Sequence, residues 1–455
     1  MNSPNELLSL SATQMTQAIS NGEISALEVF ETHISQIEAE NPAINALVTT
    51  CFERGLEEAK SIDKKIKSGG TVGRLCGLPY AVKDTLATAG LKTTYGSRIY
   101  ANNVPASDAI HVARARAAGA IVIGKSNTPE FASGCQTNNA IFGLTRNPND
   151  TNKTVTGSSG GAAAALAAHL VPMADGSDLG GSLRSPASVC GVVGFRPTAG
   201  QVPKLQDKIP FDPLHVFGPM AKCVEDIALF MSVFSGLDKR CPLSAIAARI
   251  DYSAALEIGH ANCRIAWSTN PCGSNTHPEV VTEMEKQLGI FRSIGCRVDD
   301  ACPQISDNHH AHQIIVALNA ITELGEFIDD ERLGSSARLR GFLESGRKLT
   351  AQSIAEARRI QAHSWEIIQT FFNDYEFMVW PTMSGLPYSA SINEDEVSED
   401  WKPVELTPSL NLPAIAIPAG FSQQGLPIGI QIIGPPNSDL RLLQLAFAFQ
   451  QAKLN

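Results

Sequence analysis

Residues 174–186 read ADGSDLGGSLRSP, with two glycines directly before Ser182 and Asp178 four residues ahead of it. A serine in this setting is either a nucleophile or the cap of a glycine turn that opens a helix. The hydrolase elbow G-x-S-x-G does not fit, because Arg184 occupies the last position. A phosphate-binding loop needs Gly-Lys-Ser/Thr, and TGSSGGAAA has no lysine. A histidine base is hard to place: only His169 and His215 lie within forty residues of Ser182, and neither has an evident carboxylate to orient it. Lysine can replace histidine where burial keeps it neutral. Lys83, at the end of the apolar run in LPYAVKDT, is the candidate; the alternative is a strand-end lysine that reaches solvent. His309, His310 and His312 in NHHAHQ raise the question of a metal. No carboxylate or cysteine partner sits at ligand spacing, so no metal is expected. Cys135 lacks a histidine partner and is not read as a rival nucleophile.

The elements that must hold these residues show in the hydrophobic periodicity. Residues 5–68 carry apolar residues at three- and four-residue steps, with a second amphipathic helix over 51–67. From 76 the pattern becomes GLPYAVKD, then the helical HVARARAAGA, then AIVIGK; strand, helix, strand at that spacing indicates parallel-sheet units. A helix over 161–170 and a strand near 171–175 follow. Helical segments near 277–294, 309–333 and 350–372 surround one strand candidate, CRIAWS. FMVWPT, PAIAIP and LPIGIQII return to strands before a closing helix at 438–453. The expected fold is α/β: a single core with a central mixed, largely parallel sheet covered by helices, formed by both ends of the chain, plus a helical insertion. The parts are an N-terminal helical layer (1–70), a core (71–240), a mainly helical insertion (241–374) and a C-terminal return (375–455).

A chain of 455 residues with 43% hydrophobic and 18% charged residues can bury a sizeable core. Its formal charge of -10 argues against nucleic acid as a direct ligand. No signal peptide or membrane span is evident and the expected location is cytoplasmic. The ten cysteines form no C-x-x-C pair and read as reduced residues.

Three stretches together resemble the amidase signature family: Lys83 in GLPYAVKD, Ser158 in TGSSGGAAAA and Ser182 in GSDLGGSLRSP. The separations, 75 residues from Lys83 to Ser158 and 24 more to Ser182, are those of the family pattern. GKSNTPEFASGCQTNNAIFGLTRNP, GVVGFRPTAGQVP, GPMAKCVEDIAL and PAIAIPAGFSQQGLPIGIQIIGPP agree as well. The resemblance covers nearly all of 5–235 and 375–453 and leaves the middle poorly matched. Two departures stand out: TGSSGG where the family has GGSSGG, and TPSLNLPAI where F-N-x-T-G-x-P-A is usual.

The resemblance implies a triad in which Ser182 is the nucleophile, Ser158, preceded by a cis peptide bond at Gly157, relays protons, and Lys83 is the neutral base. It implies an oxyanion hole from the backbone amides of Leu179, Gly180, Gly181 and Ser182, and substrate contacts from Gly134, Cys135 and Gln136. Gly157, Asp178 and Arg184 are expected as structural support. The implied activity is cofactor-free hydrolysis of carboxylic amides through a serine acyl-enzyme, extending to esters and to aryl or alkyl carbamates. The alternative is the glutamine-hydrolysing component of a tRNA-dependent amidotransferase. The expected partner is a small-molecule substrate, and the chain is expected as a monomer or homodimer. The pocket is expected to be lined by the 241–374 insertion and by the loops near 201–217 and 382–390, whose Phe211, Leu214, Phe217, Leu386 and Tyr388 are expected to give it an apolar character.

Overall fold

A computed structural model describes residues 4–205, 208–247, 249–257, 263–305, 308–334, 336–392 and 400–454; positions 206 and 207 of the 201–217 loop and the side chain of Cys272 lie outside the described residues. The strands are β1 (Leu47–Thr50), β2 (Pro79–Lys83), β3 (Ile121–Ser126), β4 (Arg146–Asn147), β5 (Asp150–Thr154), β6 (Met173–Asp178), β7 (Val193–Arg196), β8 (Val216–Ala221), β9 (Arg264–Trp267), β10 (Arg297–Asp300), β11 (Phe377–Pro381), β12 (Ala414–Phe421) and β13 (Pro427–Ile433). All but the β4–β5 hairpin join one sheet in the order β1-β3-β2-β6-β8-β7-β12-β13-β11-β9-β10. The sheet is mixed, as expected. Strands β3, β2 and β6 run parallel at one flank and β11, β9 and β10 at the other, with antiparallel ladders between.

Fourteen helices occur among the described residues: α1 (Pro4–Ser9), α2 (Ala12–Ser20), α3 (Ala26–Ile44), α4 (Phe52–Lys67), α5 (Ile110–Ala117), α6 (Gly160–Ala167), α7 (Arg184–Cys190), α8 (Val224–Phe234), α9 (Pro278–Ser293), α10 (Asn308–Leu324), α11 (Ala337–Arg347), α12 (Ala351–Asp374), α13 (Lys402–Ser409) and α14 (Asp439–Leu454). None is long and apolar enough to cross a membrane. No disulfide joins the nine described cysteines. Local signals place several helix ends. Ser11 and Gln14 form a reciprocal capping box at the start of α2, and Lys64, Lys65 and Lys67 fall in the last turn of α4, where cations suit the helix dipole.

Strands β2, β3, β6, β7, β8, β11 and β13 are buried along their whole length, and β2, β3, β11 and β13 accordingly read as near-continuous apolar runs. The insertion is less separate than its composition suggests. It extends the sheet through β9 and also through β10, whose RVDD has a single apolar residue and pairs parallel to β9 at the edge. An edge strand with exposed or half-buried side chains has no hydrophobic alternation to betray it. Helix α11, rich in arginine and glycine, was likewise not anticipated.

A buried carboxylate locks the N-terminal helical layer to the core. Asp226 on α8 accepts hydrogen bonds from the Ala12 and Thr13 amides at 2.9 and 2.8 Å, so it serves the exposed amides of the first turn of α2. It is fully buried and also accepts from Thr13 Oγ1 at 2.9 Å. Replacing Asp226 with Ala strands three donors. We expect a loss of about 2–3 kcal/mol in unfolding free energy, measured by urea titration.

Candidate active site

Strand β2 delivers Lys83 to the sheet interior and β6 lies parallel beside it, with Tyr80 opposite Met173 and Ala81 opposite Ala174. Because side chains alternate along a strand, Asp175 and Ser177 of β6 share one face. Lys83 is fully buried. Its Nζ lies 2.7 Å from Ser158 Oγ and 3.0 Å from both Ser159 Oγ and Ser177 Oγ. Its hydrogen-bonding neighbours are thus hydroxyls. Burial pushes its pKa down to about 7, against the opposing pull of Asp175 and Asp178. The alternative of a solvent-reaching lysine does not hold.

Asp175 is committed elsewhere. Its Oδ1 accepts the Lys83 backbone N–H at 2.7 Å, and its Oδ2 meets the Tyr80 hydroxyl and His111 Nε2, the latter at 2.9 Å. Asp178 is similarly saturated. Burial works against its charge, yet Arg184 and Arg196 hold its carboxyl below the usual carboxylate range. Arg184 Nε and Nη2 reach the two carboxylate oxygens at 3.1 Å each, and Arg196 Nη1 reaches Oδ1 at 3.3 Å. Arg184 also donates to Gln431 Oε1 at 2.8 Å and to the Val404 carbonyl at 2.9 Å, tying β6 to β13 and α13.

The same carboxylate shapes the loop that carries Ser182. The Gly181 and Leu183 amides donate to Asp178 Oδ1 and Oδ2 at 3.0 and 3.2 Å. Gly181 has a left-handed φ of +107°, and a Cβ there would lie 2.4 Å from Val404 Cγ2, so only glycine fits. The Gly157–Ser158 peptide is cis. A Cβ on Gly157 would lie 2.6 Å from the Gly134 carbonyl, which explains that glycine by close approach. The Ser159 amide donates to the Ser182 carbonyl at 3.2 Å, joining the two serine segments.

Ser158, Ser177 and Ser182 open into one cavity with about 900 Å³ of empty space, part of it continuous with solvent. Leu179, Gly180, Gly134 and Cys135 also line it. Gln136 does not belong to that lining; its amide donates to the Ile392 carbonyl at 2.9 Å. The far wall comes from the insertion and is mixed: Val316, Ala320 and Leu324 of α10 with Leu339 and Phe342 of α11 are apolar, while His312, Asn319 and Glu323 of α10 and Arg338 of α11 add polar groups. The loop residues expected to make the pocket apolar lie elsewhere. Phe211 is 75% exposed, Leu214 packs in a cluster with Ala311 and Ile315, and Leu386 and Tyr388 pack on the main core. Phe217 is buried on β8.

The histidine cluster is divided between partners. His309 pairs with Glu405, and His312 Nδ1 lies 2.9 Å from Ser409 Oγ, with its pKa lowered by burial to about 4. No group of three potential metal ligands occurs among the described residues. Sequence reasoning missed Asp175, Ser159, Ser177 and Arg196. The first three have a readable signal: D-x-S on one strand face and a second serine in GSSGG. The role of Arg196 rests on tertiary contact alone.

The amidase family model matches residues 28–443. An acylamidase from Rhodococcus erythropolis is 32% identical over 98% of this chain and 95% of its own length. The A-type component of a glutamyl-tRNA(Gln) amidotransferase from Clostridium acetobutylicum is 31% identical over 98% of this chain and 100% of its own. Among solved structures, a bacterial aryl acylamidase of the amidase signature family superposes with a TM-score of 0.90 at 26% identity, covering 97% of this chain and 96% of that one. The chain belongs to the amidase signature family and is an enzyme acting on carbon–nitrogen bonds.

Arg184→Met removes one of two guanidiniums from a buried carboxylate and cuts the links to Gln431 and Val404. We expect a loss of about 3–5 kcal/mol, read from chemical denaturation, as for other broken buried ion pairs.

Proposed function

We propose that this protein hydrolyses carboxylic amides through an acyl-enzyme on Ser182, with Ser158 as proton relay and Lys83 as base. The observation that carries the reading is the 2.7 Å contact between a buried Lys83 amine and Ser158 Oγ, in a cavity that also exposes Ser182. A neutral amine has two N–H donors and one lone pair. Ser159 Oγ–H is directed to the Ser177 carbonyl at 3.3 Å, so the Ser159 oxygen receives a lysine N–H. Ser177 Oγ receives the second, and the lone pair is left for the Ser158 proton.

In the first half-reaction Ser182 Oγ attacks the carbonyl carbon while its proton passes to Ser158, whose own proton passes to Lys83. Collapse of the tetrahedral adduct breaks the C–N bond, and the stored proton returns to the leaving nitrogen. Water then repeats the sequence on the acyl-enzyme and releases the acid. The amides of Leu179, Gly180 and Ser182 face the developing oxyanion; that of Gly181 is bound to Asp178 and instead fixes the loop.

The apolar side chains of α10 and α11 favour acyl or leaving groups with hydrocarbon or aryl surface, and the same machinery serves esters and carbamates. Similarity to the A-type components of amidotransferases supports a second reading, glutamine hydrolysis that feeds ammonia to a partner chain. Turnover of acetanilide by the purified single chain, set against glutamine, separates the two. Glutamine turnover alone, or activity only with a partner protein, would overturn the first reading.

Only the neutral amine can take a proton. We therefore expect kcat/KM for an anilide to rise with pH through about 7 and level off above, tracking the Lys83 titration. Lys83→Met should lower the plateau by roughly 10²–10⁴-fold and remove that limb. Ser182→Ala should abolish both turnover and labelling by a fluorophosphonate.

A further inference from the structure

A second cavity, with about 1160 Å³ of empty space, abuts the catalytic one. Its floor is the Thr85–Ala87 stretch that follows Lys83, and its sides carry Tyr95, Tyr100 and Phe217. Phe131, Ala132, His215, Glu323 and Leu324 line both cavities, so they form the partition between them. Phe131 and Ala132 both have left-handed backbone, with φ of +49° and +57°. This carries the Phe131 ring into a cluster with Tyr95 (6.3 Å between centroids, stacked), Tyr100 (6.0 Å, edge-on) and Phe327 (6.5 Å, stacked). The boundary therefore includes a side chain, which can change rotamer while the sheet stays in place.

Part of the polar edge of this second cavity is already committed. Asp108 accepts the Ala89 amide at 2.7 Å and pairs with Arg116 at 3.3 Å, so it offers little to a charged ligand. Thr85, Ser107, His215 and Glu323 add polar groups to the lining, but its largest surfaces are the rings of Tyr95, Tyr100, Phe131 and Phe217, which favour flat rings packed edge-on or offset.

We propose that the second cavity is a binding site for an aryl arm of the substrate, with the scissile bond at Ser182 and the Phe131 ring lying beside the segment that joins the two parts. The inference rests on the proposed amide hydrolysis for its scissile bond, and on the shared lining for its geometry. Ala87 and Ala109 both line the second cavity and not the catalytic one. A tryptophan at either position would occupy part of it from a residue that does not line the catalytic cavity.

The test uses acetanilide and two extended anilides, 4-phenylbutyranilide (ring on the acyl side) and 4′-benzylacetanilide (ring on the amine side). Wild type should prefer one extended compound over acetanilide by at least tenfold in kcat/KM. Ala87→Trp and Ala109→Trp should erase that preference while leaving acetanilide within about twofold. Calorimetric binding of the preferred compound to uncleaving Ser182→Ala, with and without each tryptophan, should weaken at least tenfold. Unaltered binding, or a parallel fall for acetanilide and both extended compounds, overturns the second site. If no anilide turns over but Ser182→Ala binds one extended compound at least tenfold more tightly than the other and tryptophan weakens it, the site stands and the reaction assigned above fails.

Discussion

A lysine amine sealed from water, with hydroxyls rather than carboxylates as its hydrogen-bonding neighbours, is the constraint on which the rest of this architecture turns. Two carboxylates lie close enough to favour the charged form, and either one bonded directly to Nζ would hold the amine as an ammonium ion. Each is spent on other donors. Asp175 takes the Lys83 backbone N–H, the Tyr80 hydroxyl and His111, while Asp178 takes two guanidiniums and two loop amides. Desolvation then prevails over Coulomb attraction at the amine.

The same saturation gives the serine loop its shape. Asp178 ends β6, and within six residues it has bound the amides of Gly181 and Leu183 and the head of Arg184. With so many donors converging on one carboxylate, the loop has few other conformations that leave none of them stranded in the interior. Ser182 is thereby placed half-exposed toward the cavity while its neighbours Gly181 and Leu183 are buried. The Ser159 amide pins its carbonyl from the other side. Rigidity here comes from buried, satisfied polar groups, and hydrophobic packing alone would not specify it.

Much of the core was legible in the sequence where burial imposed a continuous apolar run, although the fully buried β7 and β8 were not read as strands. GLPYAVKD, AIVIGK, FMVWPT and LPIGIQII read as strands because each is enclosed on both faces, and α4, α9, α12 and α14 read as helices from their periodicity and ends. The RVDD strand was hidden for the converse reason: its exposed and half-buried side chains carry no alternation. Helix α11 was missed although Leu339, Phe342 and Leu343 recur at helical spacing. Around the amine, Lys83, Ser158 and Ser182 could be found from spacing within a family resemblance. Arg196 and the full set of Asp175 contacts could not, because they arise from strands and helices far apart in the chain. The pocket wall was legible only in part: the insertion was expected to line it, and α10 and α11 do, but the named apolar residues of the two loops do not. Apolar loop residues such as Leu214 and Leu386 bury themselves against local clusters, whereas the cavity is faced by one side of two helices whose orientation no local pattern encodes.

This division has a consequence for how chemistry and selectivity are distributed. In the proposed mechanism the proton-handling groups stand on β2, the loop after β6 and the segment before α6, packed against the interior of the sheet, where small changes in volume are costly. The cavity wall stands on α10 and α11, outside that interior, and can change composition without disturbing the amine. It is still anchored. The buried Glu130 carboxylate accepts the Gly334 amide at 2.9 Å from Oε2 and 3.1 Å from Oε1, and Ser97 Oγ at 2.6 Å. Glu130 immediately precedes Phe131 and Ala132, and Gly334 lies between α10 and α11. One buried carboxylate thus ties the partition between the two cavities to the wall that faces Ser182, so a shift of either segment must be accommodated by the other.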